Sequence, residues 1–324
     1  MTGLRWGLLS TARINDAVLG AGVADVRAVA SRSRERAEAY ARERGIPRAH
    51  GSYEDLLADP EIDAVYISLP NALHIPWSVR ALEAGKHVLC EKPLSRRAAD
   101  VDAAFDVAER AGLVLTEGFM WRHHPQVARA QQLLTDGAIG RVRVLRAAFS
   151  GGIARPGDPR LVRALDGGAL MDVGCYCVSA ARALLGAEPE AVHAMRLIGG
   201  EDVDVALTGL LRFPGERLAT IDCGFVLAER TEVEVIGDAG VLALRDPWFG
   251  RDPVIELRLP SGRELVEAPR VNQYAAELGD FEAAARGERP PLLGRDDAVG
   301  QARTIEALYA SAEGERPVPI TPRG

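Results

Sequence analysis

Strand and helix candidates alternate along the first 120 residues, and this alternation constrains the fold more than any other feature of the sequence. Short apolar runs lie at 4–10, 25–33, 64–70, 87–93 and 113–121. Helical stretches separate them, and two of these stretches close at Gly45 and Gly112, a residue type suited to the left-handed position after a helix. Strand–helix–strand units with this spacing predict a parallel sheet covered by helices.

The pattern changes after about residue 122. Alternating apolar residues at 141–150 predict a strand, and the apolar run at 167–186 predicts one long helix. More strand candidates follow at 191–198, 204–213, 217–226, 231–237, 241–245 and 254–259. Two closing helices are predicted at 273–286 and 295–313. Strands without intervening helices favour a mainly antiparallel sheet with helices on one face. We therefore predict an α/β protein with domains at 1–122 and 123–324, the second of them α+β.

Composition limits the kinds of partner and compartment. The net charge is −7 and arginine is scattered among acidic residues, so neither nucleic acid nor a membrane surface is expected as a partner. No apolar run approaches the roughly 18 residues of a membrane span, and the N-terminus lacks a signal-peptide pattern. The cysteines form no Cys-x-x-Cys pair; they are Cys90, Cys175, Cys177 and Cys223. We expect reduced thiols in a cytoplasmic protein and no metal site.

The turn after the first strand, GLLSTARI at 7–14, is a candidate nucleotide site. Gly7, Ser10 and Ala12 occupy the places that glycines hold in a variant of the dinucleotide-binding motif. Small residues there let backbone N–H groups approach a pyrophosphate at the start of a helix. Two of the three are not glycine, and an ordinary turn is the alternative interpretation.

The end of the second strand bears on the choice of cofactor. NAD enzymes usually place a carboxylate there for the ribose 2′-hydroxyl. This chain instead has Ser31, Arg32 and Ser33, and its next carboxylate is Glu35. An arginine with two hydroxyls suits a 2′-phosphate, so the sequence favours NADP over NAD. The alternative is that Arg32 is only a solvated charge.

The stretch GKHVLCEKPLS at 85–95 ends an apolar strand with a carboxylate, an ammonium and a proline. Pro93 has no N–H to continue a ladder, so Lys92 is expected at the carboxyl end of the strand. Ligands bind at that edge of open parallel sheets, where Asn71 is also expected. A surface turn for Lys92 and a helix cap for Asn71 are the alternative interpretations.

The helix candidate GGALMDVGCYCV carries Asp172 and Tyr176 four residues apart, and hence on one face. Buried groups of this kind need partners, so a tyrosine hydrogen-bonded to an aspartate is the alternative to a chemical role. A nearby ammonium such as that of Lys92 lowers the pKa of a phenol. Such a phenol exchanges a proton with a substrate hydroxyl, as oxidation of an alcohol by hydride transfer requires.

Six stretches, in order along the chain, resemble the Gfo/Idh/MocA oxidoreductases, a family that includes glucose–fructose oxidoreductase and inositol dehydrogenase. The stretches are GLLSTARI, ASRSRERAEAYA, VYISLPNALHIPWSVRALEAGKHVLCEKPLS, TEGFMWRHHPQ, GGALMDVGCYCV and NQYAAELGDFEAA. The resemblance implies an N-terminal Rossmann domain and a C-terminal domain with a large open sheet. That sheet commonly forms oligomer interfaces in the family, so a homodimer or homotetramer is expected.

The resemblance also implies roles for individual residues. Lys92 would be the catalytic lysine, next to a Lys92–Pro93 peptide bond that is often cis. Tyr176 would donate or accept the proton, and Asp172 would orient the substrate or these groups. The implied substrate contacts are Lys92, Arg160, Asp172 and Tyr176. The implied cofactor contacts are Gly7, Ser10, Thr11, Ala12, Arg13, Ile14, Ser31, Arg32, Leu69, Pro70, Asn71, His74, Glu91, Lys92 and Arg122.

Tyrosine at position 176, where many relatives carry histidine, resembles the branch with glucose–fructose oxidoreductase, dimeric dihydrodiol dehydrogenase and NADP-dependent xylose dehydrogenase. The chain departs from that pattern at Ser10, which replaces a common glycine, and in the segment 150–166, which is short. Asn272, Gln273 and Tyr274 resemble the start of a segment that reaches the active-site cleft, with a helix cap as the alternative.

Three functions are compatible with these residues. The leading hypothesis is an NADP(H)-dependent oxidoreductase acting on an aldose sugar, a trans-dihydrodiol or a similar polyhydroxylated or cyclic alcohol. The second is a reductase of a sugar-derived ketone, or a non-redox relative that uses the cofactor transiently. The third is a non-catalytic sensor of a ligand or of NADP on the same fold, and a sensor would have no need of the set Lys92, Asp172 and Tyr176.

Overall fold

The computed structural model describes residues 3–152 and 157–321, so the predicted segment 150–166 lies partly outside the described residues. The strands are β1 (Arg5–Leu9), β2 (Asp25–Ala30), β3 (Arg48–His50), β4 (Ala64–Ile67), β5 (His87–Glu91), β6 (Leu115–Gly118), β7 (Val142–Ser150), β8 (Ala191–Gly199), β9 (Val203–Phe213), β10 (Arg217–Gly224), β11 (Arg230–Gly237), β12 (Val241–Leu244), β13 (Val254–Leu259), β14 (Gly262–Glu267) and β15 (Val318–Pro319). The helices are α1 (Asn15–Gly20), α2 (Arg34–Arg44), α3 (Tyr53–Leu57), α4 (His74–Glu83), α5 (Ala98–Ala111), α6 (Pro125–Thr135), α7 (Cys175–Leu185), α8 (Gln273–Ala285) and α9 (Arg295–Gly314).

The chain divides into two compact units. The first unit contains Met1–His123 and Tyr274–Val299, and the second contains His124–Gln273 and Gly300–Gly324. The sequence pattern predicts one boundary, at residue 122, and does not reveal that the chain returns to the first unit at Tyr274–Val299. The return is explained by packing, because Phe281 of α8 lies against Trp6 of β1 with ring centroids 5.0 Å apart. The functions assigned to the two predicted domains remain predictions.

The first unit is built on a parallel sheet, as the strand–helix alternation predicted. In the described part of the chain its strand order is β3-β2-β1-β4-β5-β6. β4 shows why continuous apolar runs mark such strands, since all four of its residues are fully buried. Gly45 and Gly112 end α2 and α5 with φ of +68° and +67°, which confirms the predicted helix ends.

The second unit is built on a large open sheet that is mainly antiparallel. Among the described residues its order is β14-β13-β12-β11-β7-β10-β9-β8-β15. β7 and β10 pair in parallel and its other neighbouring strands pair antiparallel. The strands predicted at 231–237 and 241–245 are present as the antiparallel pair β11 and β12. The predicted fold class is therefore confirmed.

The observed helix differs at its start from the single helix predicted at 167–186. A π-helical turn, Leu170–Gly174, precedes α7, and the buried carboxylate of Asp204 lies at its first turn. Oδ2 of Asp204 accepts from the backbone N–H of Leu170 at 2.7 Å, and Oδ1 accepts from the Tyr309 hydroxyl at 2.8 Å. A Cβ at Gly168, where φ is +131°, would lie 2.1 Å from Asp204 Oδ1. Glycine is thus required where the backbone approaches the carboxylate.

The stretch Arg163–Leu185 corrects one expectation from the sequence. By length and composition this helical stretch is apolar enough to cross a membrane, although the sequence analysis expected no run of that kind. However, 89% of its most apolar window is buried inside the protein. Burial of this extent is typical of a core helix, since its apolar surface already has protein partners.

Replacing Asp204 with alanine is expected to destabilise the second unit by about 2–4 kcal/mol, because it leaves a backbone N–H and a buried phenol without their acceptor. Asp222→Ala is the matched control, since Asp222 makes a half-exposed ion pair with Arg230 and should cost less than about 1 kcal/mol. Urea denaturation of both variants measures the difference. Equal losses would contradict the assigned role of Asp204.

Candidate active site

The turn after β1 is held by a buried hydrogen-bond network. Ser10, where the family resemblance led us to expect a glycine, has a φ of +151°. Its Oγ lies 2.7 Å from Oγ of Ser68 and accepts from the backbone N–H of Ala12. The Ser68 hydroxyl donates to Asn15 Oδ1 at 2.6 Å, and Asn15 Nδ2 donates back to the Ser10 carbonyl at 2.9 Å. The serine hydroxyl therefore fixes a turn whose positive φ glycine adopts more readily than serine.

Gly7 has a packing requirement of its own. A Cβ at this position would lie 2.7 Å from a methyl group of Leu56 and 3.3 Å from one of Ile62. Glycine is therefore needed for the contact between β1 and α3, whether or not a phosphate approaches. The remaining predicted contacts of this turn, Thr11, Ala12, Arg13 and Ile14, are partly or fully exposed.

The end of β2 presents hydroxyls and a guanidinium. Ser31 is buried, Arg32 is exposed, and Ser33 caps α2 by accepting from the Arg36 N–H at 3.2 Å. The Ser33 hydroxyl donates to Oε2 of Glu35, the next carboxylate along the chain, at 2.8 Å. Burial raises the pKa of Tyr53, and the nearby Arg32 guanidinium opposes that rise. Arg32 thus lies beside the Tyr53 hydroxyl at the carboxyl end of the strand.

His74 links the ends of β4 and β5. It is fully buried, with Nδ1 2.8 Å from the Pro93 carbonyl and Nε2 2.7 Å from the Leu69 carbonyl. Carbonyl oxygens only accept, so the two bonds are made together only by the imidazolium form. His74 therefore fixes the backbone on both sides of the predicted cofactor edge. The Lys92–Pro93 bond is cis, as the resemblance implied.

Pro70 and Asn71 follow Leu69 at this edge. Asn71 begins a 3₁₀ turn, Asn71–Leu73, and the cap position of that turn is held by Pro70, so the helix-cap interpretation of Asn71 is wrong. Elsewhere in the first unit, Arg122 forms a mostly buried ion pair with Asp297, with Nη1 and Oδ1 3.2 Å apart.

Glu91 belongs to a buried cluster of acids and phenols in the first unit. The Tyr66 hydroxyl donates to Glu91 Oε1. Burial raises the pKa of Glu277 well above its usual value, and the charges of Glu91 and Asp280 add to the rise. Burial likewise raises the pKa of Tyr66 and of Tyr274, with Glu91 adding to both. The cluster thus favours the neutral forms of Glu277 and of both phenols in the neighbourhood of Glu91. Glu277 is not among the site residues predicted from the sequence.

In the second unit, the π-helical turn and α7 carry Asp172 and Tyr176. The Asp172 carboxylate is about one-fifth exposed and lies 3.4 Å from Nη1 of Arg160. Asp158 holds the same guanidinium through Nε at 2.8 Å and Nη2 at 2.6 Å. The structure therefore brings together Arg160 and Asp172, two of the expected substrate contacts, and adds Asp158 as the group that orients Arg160.

The ring of Tyr176 is buried in an aromatic cluster that the sequence analysis did not predict. Its centroid lies 5.3 Å from that of Phe149 and 5.7 Å from that of Trp248, both edge to face. Phe149 and Trp248 are stacked at 5.7 Å, and the half-exposed Phe249 meets Phe149 edge to face at 5.8 Å. These contacts fix the plane of the phenol.

Known proteins match the chain over most of its length. Residues 4–119 match a family model described as an oxidoreductase family with a NAD-binding Rossmann fold, and residues 127–243 match the GFO/IDH/MocA C-terminal domain. A D-xylose 1-dehydrogenase (NADP(+)) 2 of Haloferax volcanii is 39% identical over 320 residues, which cover 96% of this chain and 98% of that protein.

Two solved structures share the fold across almost the whole chain. An aldose-aldose oxidoreductase from Caulobacter crescentus, complexed with glycerol, is 30% identical with a TM-score of 0.90 and covers 98% of this chain and 100% of its own. A 3-ketoreductase from Actinomadura kijaniata, in complex with NADP and TDP-benzene, is 32% identical with a TM-score of 0.90. The match covers 96% of this chain and 98% of that protein. The chain belongs to the Gfo/Idh/MocA family of oxidoreductases.

Proposed function

We propose that this protein is an NADP(H)-dependent oxidoreductase that transfers a hydride between the nicotinamide and a polyhydroxylated or cyclic alcohol, or the corresponding ketone. An aldose sugar is the first substrate class to test and a trans-dihydrodiol the second. The observation that carries the proposal is Tyr176, a buried phenol fixed by aromatic contacts on the same helical segment as Asp172, whose carboxylate pairs with Arg160. The membership of an oxidoreductase family supports it.

The residues at the end of β2 fit NADP. A 2′-phosphate needs positive charge and hydroxyl donors, and the chain offers the exposed Arg32 guanidinium with the Ser31 hydroxyl; the Ser33 hydroxyl instead donates to Glu35. The nearest carboxylate, Glu35, lies in the first turn of α2 and not at the end of β2, where the acceptor for a ribose 2′-hydroxyl is usually placed. The relatives from Haloferax volcanii and Actinomadura kijaniata are described with NADP, which favours the same cofactor here.

The proposed chemistry divides between the cofactor and the chain. When bound, NADP(H) supplies or accepts the hydride. Tyr176 exchanges the substrate proton at its hydroxyl oxygen, and Lys92 provides the positive charge that favours the phenolate. Asp172 and Arg160 bind and orient substrate hydroxyl groups. His74 holds the backbone around Pro93, and thereby the position of Lys92.

Reduction of a sugar-derived ketone is the second candidate reaction, because it uses the same groups in the opposite direction. The observation that favours it is the likeness to the 3-ketoreductase from Actinomadura kijaniata. A sugar and diol panel, read at the nicotinamide absorbance in both directions, separates the two. Binding of NADPH without turnover of any compound would favour the sensor hypothesis.

We also propose that the protein is a cytoplasmic homodimer or homotetramer formed through the open sheet of the second unit. The outward residues of β8, β9 and β10 include exposed apolar side chains, namely Met195, Leu197, Leu210 and Leu218. Their inward neighbours, such as Ala194 and Leu211, are buried. An exposed apolar sheet face of this kind marks an interaction surface.

Tyr176→Phe is expected to lower kcat by about 10²- to 10⁴-fold, because phenylalanine keeps the aromatic packing and loses the proton-transfer group. NADPH affinity should stay unchanged. Turnover of D-xylose with NADP⁺ and a fluorescence titration with NADPH measure the two effects. Tyr40→Phe in α2 is the matched control. Retention of most turnover by Tyr176→Phe would exclude the proton-transfer role.

Arg32→Ala is expected to weaken NADPH binding by about tenfold or more, since one charge-assisted interaction with the 2′-phosphate is lost. NADH binding should change by less than about twofold, since NADH has no such phosphate. The matched control is Arg34→Ala. Arg34 is an exposed arginine of the same segment, and its Nη1 lies 3.8 Å from Oε1 of Glu38. Equal effects on the two nucleotides would show that Arg32 does not select the cofactor.

The double variant Met195→Glu/Leu210→Glu is expected to be monomeric, because it places carboxylates in the apolar face that two copies would bury. Sedimentation velocity measures the mass. Val23→Glu, which changes an exposed apolar residue of the first unit, should sediment like the wild-type protein. An oligomer that survives the double substitution would rule out this face as the interface.

A further inference from the structure

The segment Asp246–Gly250, which connects β12 to β13, carries Trp248 and Phe249. Trp248 is fully buried, lies edge to face on Tyr176 and donates its Nε1 proton to the Ala148 carbonyl at 3.2 Å. The position of this segment therefore decides how the Tyr176 ring is packed. We call it the Trp248 segment.

Three successive backbone carbonyls of the Trp248 segment accept hydrogen bonds from two glutamine side chains. Nε2 of Gln126 donates to the carbonyl of Asp246 at 3.0 Å and to that of Pro247 at 3.4 Å. Nε2 of Gln273 donates to the carbonyl of Trp248 at 3.1 Å. The two glutamines come from the start of α6 and the start of α8, 147 positions apart in the sequence numbering.

Two further contacts hold the end of the Trp248 segment. Gly250 has a φ of +62°, and a Cβ there would lie 2.6 Å from the His124 ring. The Asp246 carboxylate turns back to accept from the Arg251 N–H at 2.8 Å. The backbone is thus fixed at both ends as well as along its carbonyls.

Both glutamines are almost completely buried, at 0% and 6% exposure for Gln126 and Gln273. A buried amide costs free energy unless its hydrogen bonds are made, and an apolar side chain would fill the same volume without that cost. Their amide donors are directed at the segment that places Trp248 on Tyr176. This arrangement favours a role in holding that segment over a role in filling the core.

We infer that Gln126 and Gln273 are positioning residues for Tyr176, which they hold in its reactive orientation by clamping the backbone of the Trp248 segment. The inference rests on the proposed role of Tyr176 in proton transfer. The two glutamines act through Trp248 rather than by contacting substrate or cofactor. Loss of the glutamine hydrogen bonds leaves the Tyr176 phenol present but misoriented, and small misplacements of a reacting group lower the reaction rate strongly.

Methionine at each position tests the inference, because it keeps the length of glutamine and removes the N–H donors. Gln126→Met and Gln273→Met are compared with Gln132→Met, which changes the exposed glutamine of α6 that donates to Asp136. The protein is labelled with 5-fluorotryptophan, and the resonance of Trp248 among the four tryptophans is assigned with Trp248→Phe. This spectrum does not depend on any substrate.

The fluorine resonance of Trp248 is expected to shift or broaden in Gln126→Met and Gln273→Met and to stay unchanged in Gln132→Met. With D-xylose and NADP⁺, kcat of the two clamp variants should fall by about tenfold and its pH profile should move, while KM for NADP⁺ changes by less than about twofold. A loss of folded protein alone would lower kcat without moving the pH profile.

An unchanged Trp248 resonance in both clamp variants would overturn the inference, and so would a shifted resonance with unchanged kcat and pH profile. If the wild-type protein does not turn over D-xylose, the proposed function fails for this sugar. The fluorine spectrum then decides the inference by itself, since it reports the position of Trp248 whether or not catalysis occurs.

Discussion

Parallel pairing of β1 with both β2 and β4 is the constraint on which the organisation of the first unit depends. Strands that run in one direction must end at one edge, so the turns after β1, β2, β4 and β5 emerge there together. The chain moves outward from β1 to β3 and then returns to β4 on the other side of β1. Ser10 and Ser68 are 58 residues apart and hydrogen-bonded because of that return.

The sequence predicted those elements whose apolar pattern is continuous or strictly periodic. β4 is an example, since a strand buried on both faces must be apolar throughout. It did not predict β3, whose three residues are only partly buried, or β14, which is almost entirely exposed. Neither strand has an apolar run to reveal it. The helix α8 was predicted from its own apolar pattern. That pattern does not reveal that Phe281 of α8 packs against Trp6 of β1.

The same distinction applies to the candidate site. Lys92, Asp172 and Tyr176 lie in short motifs, and such motifs are readable because their residues are adjacent. Groups that support a site have partners far away in sequence, as Asp204 has in Leu170 and Tyr309. Asp204, for example, is a carboxylate flanked by Val203 and Val205. Such a residue signals a buried hydrogen bond without naming its partner.

The four cysteines are free and buried, with Cys90 in the first unit and Cys175, Cys177 and Cys223 in the second. Burial raises the pKa of the Cys90, Cys177 and Cys223 thiols, so the reactive thiolate is scarce as long as the fold is closed. A thiol-specific reagent therefore reaches each cysteine only when the surrounding structure opens. The labelling rate of Cys90 thus reports how often the first unit opens, and the labelling rates of the other three cysteines report how often the second unit opens.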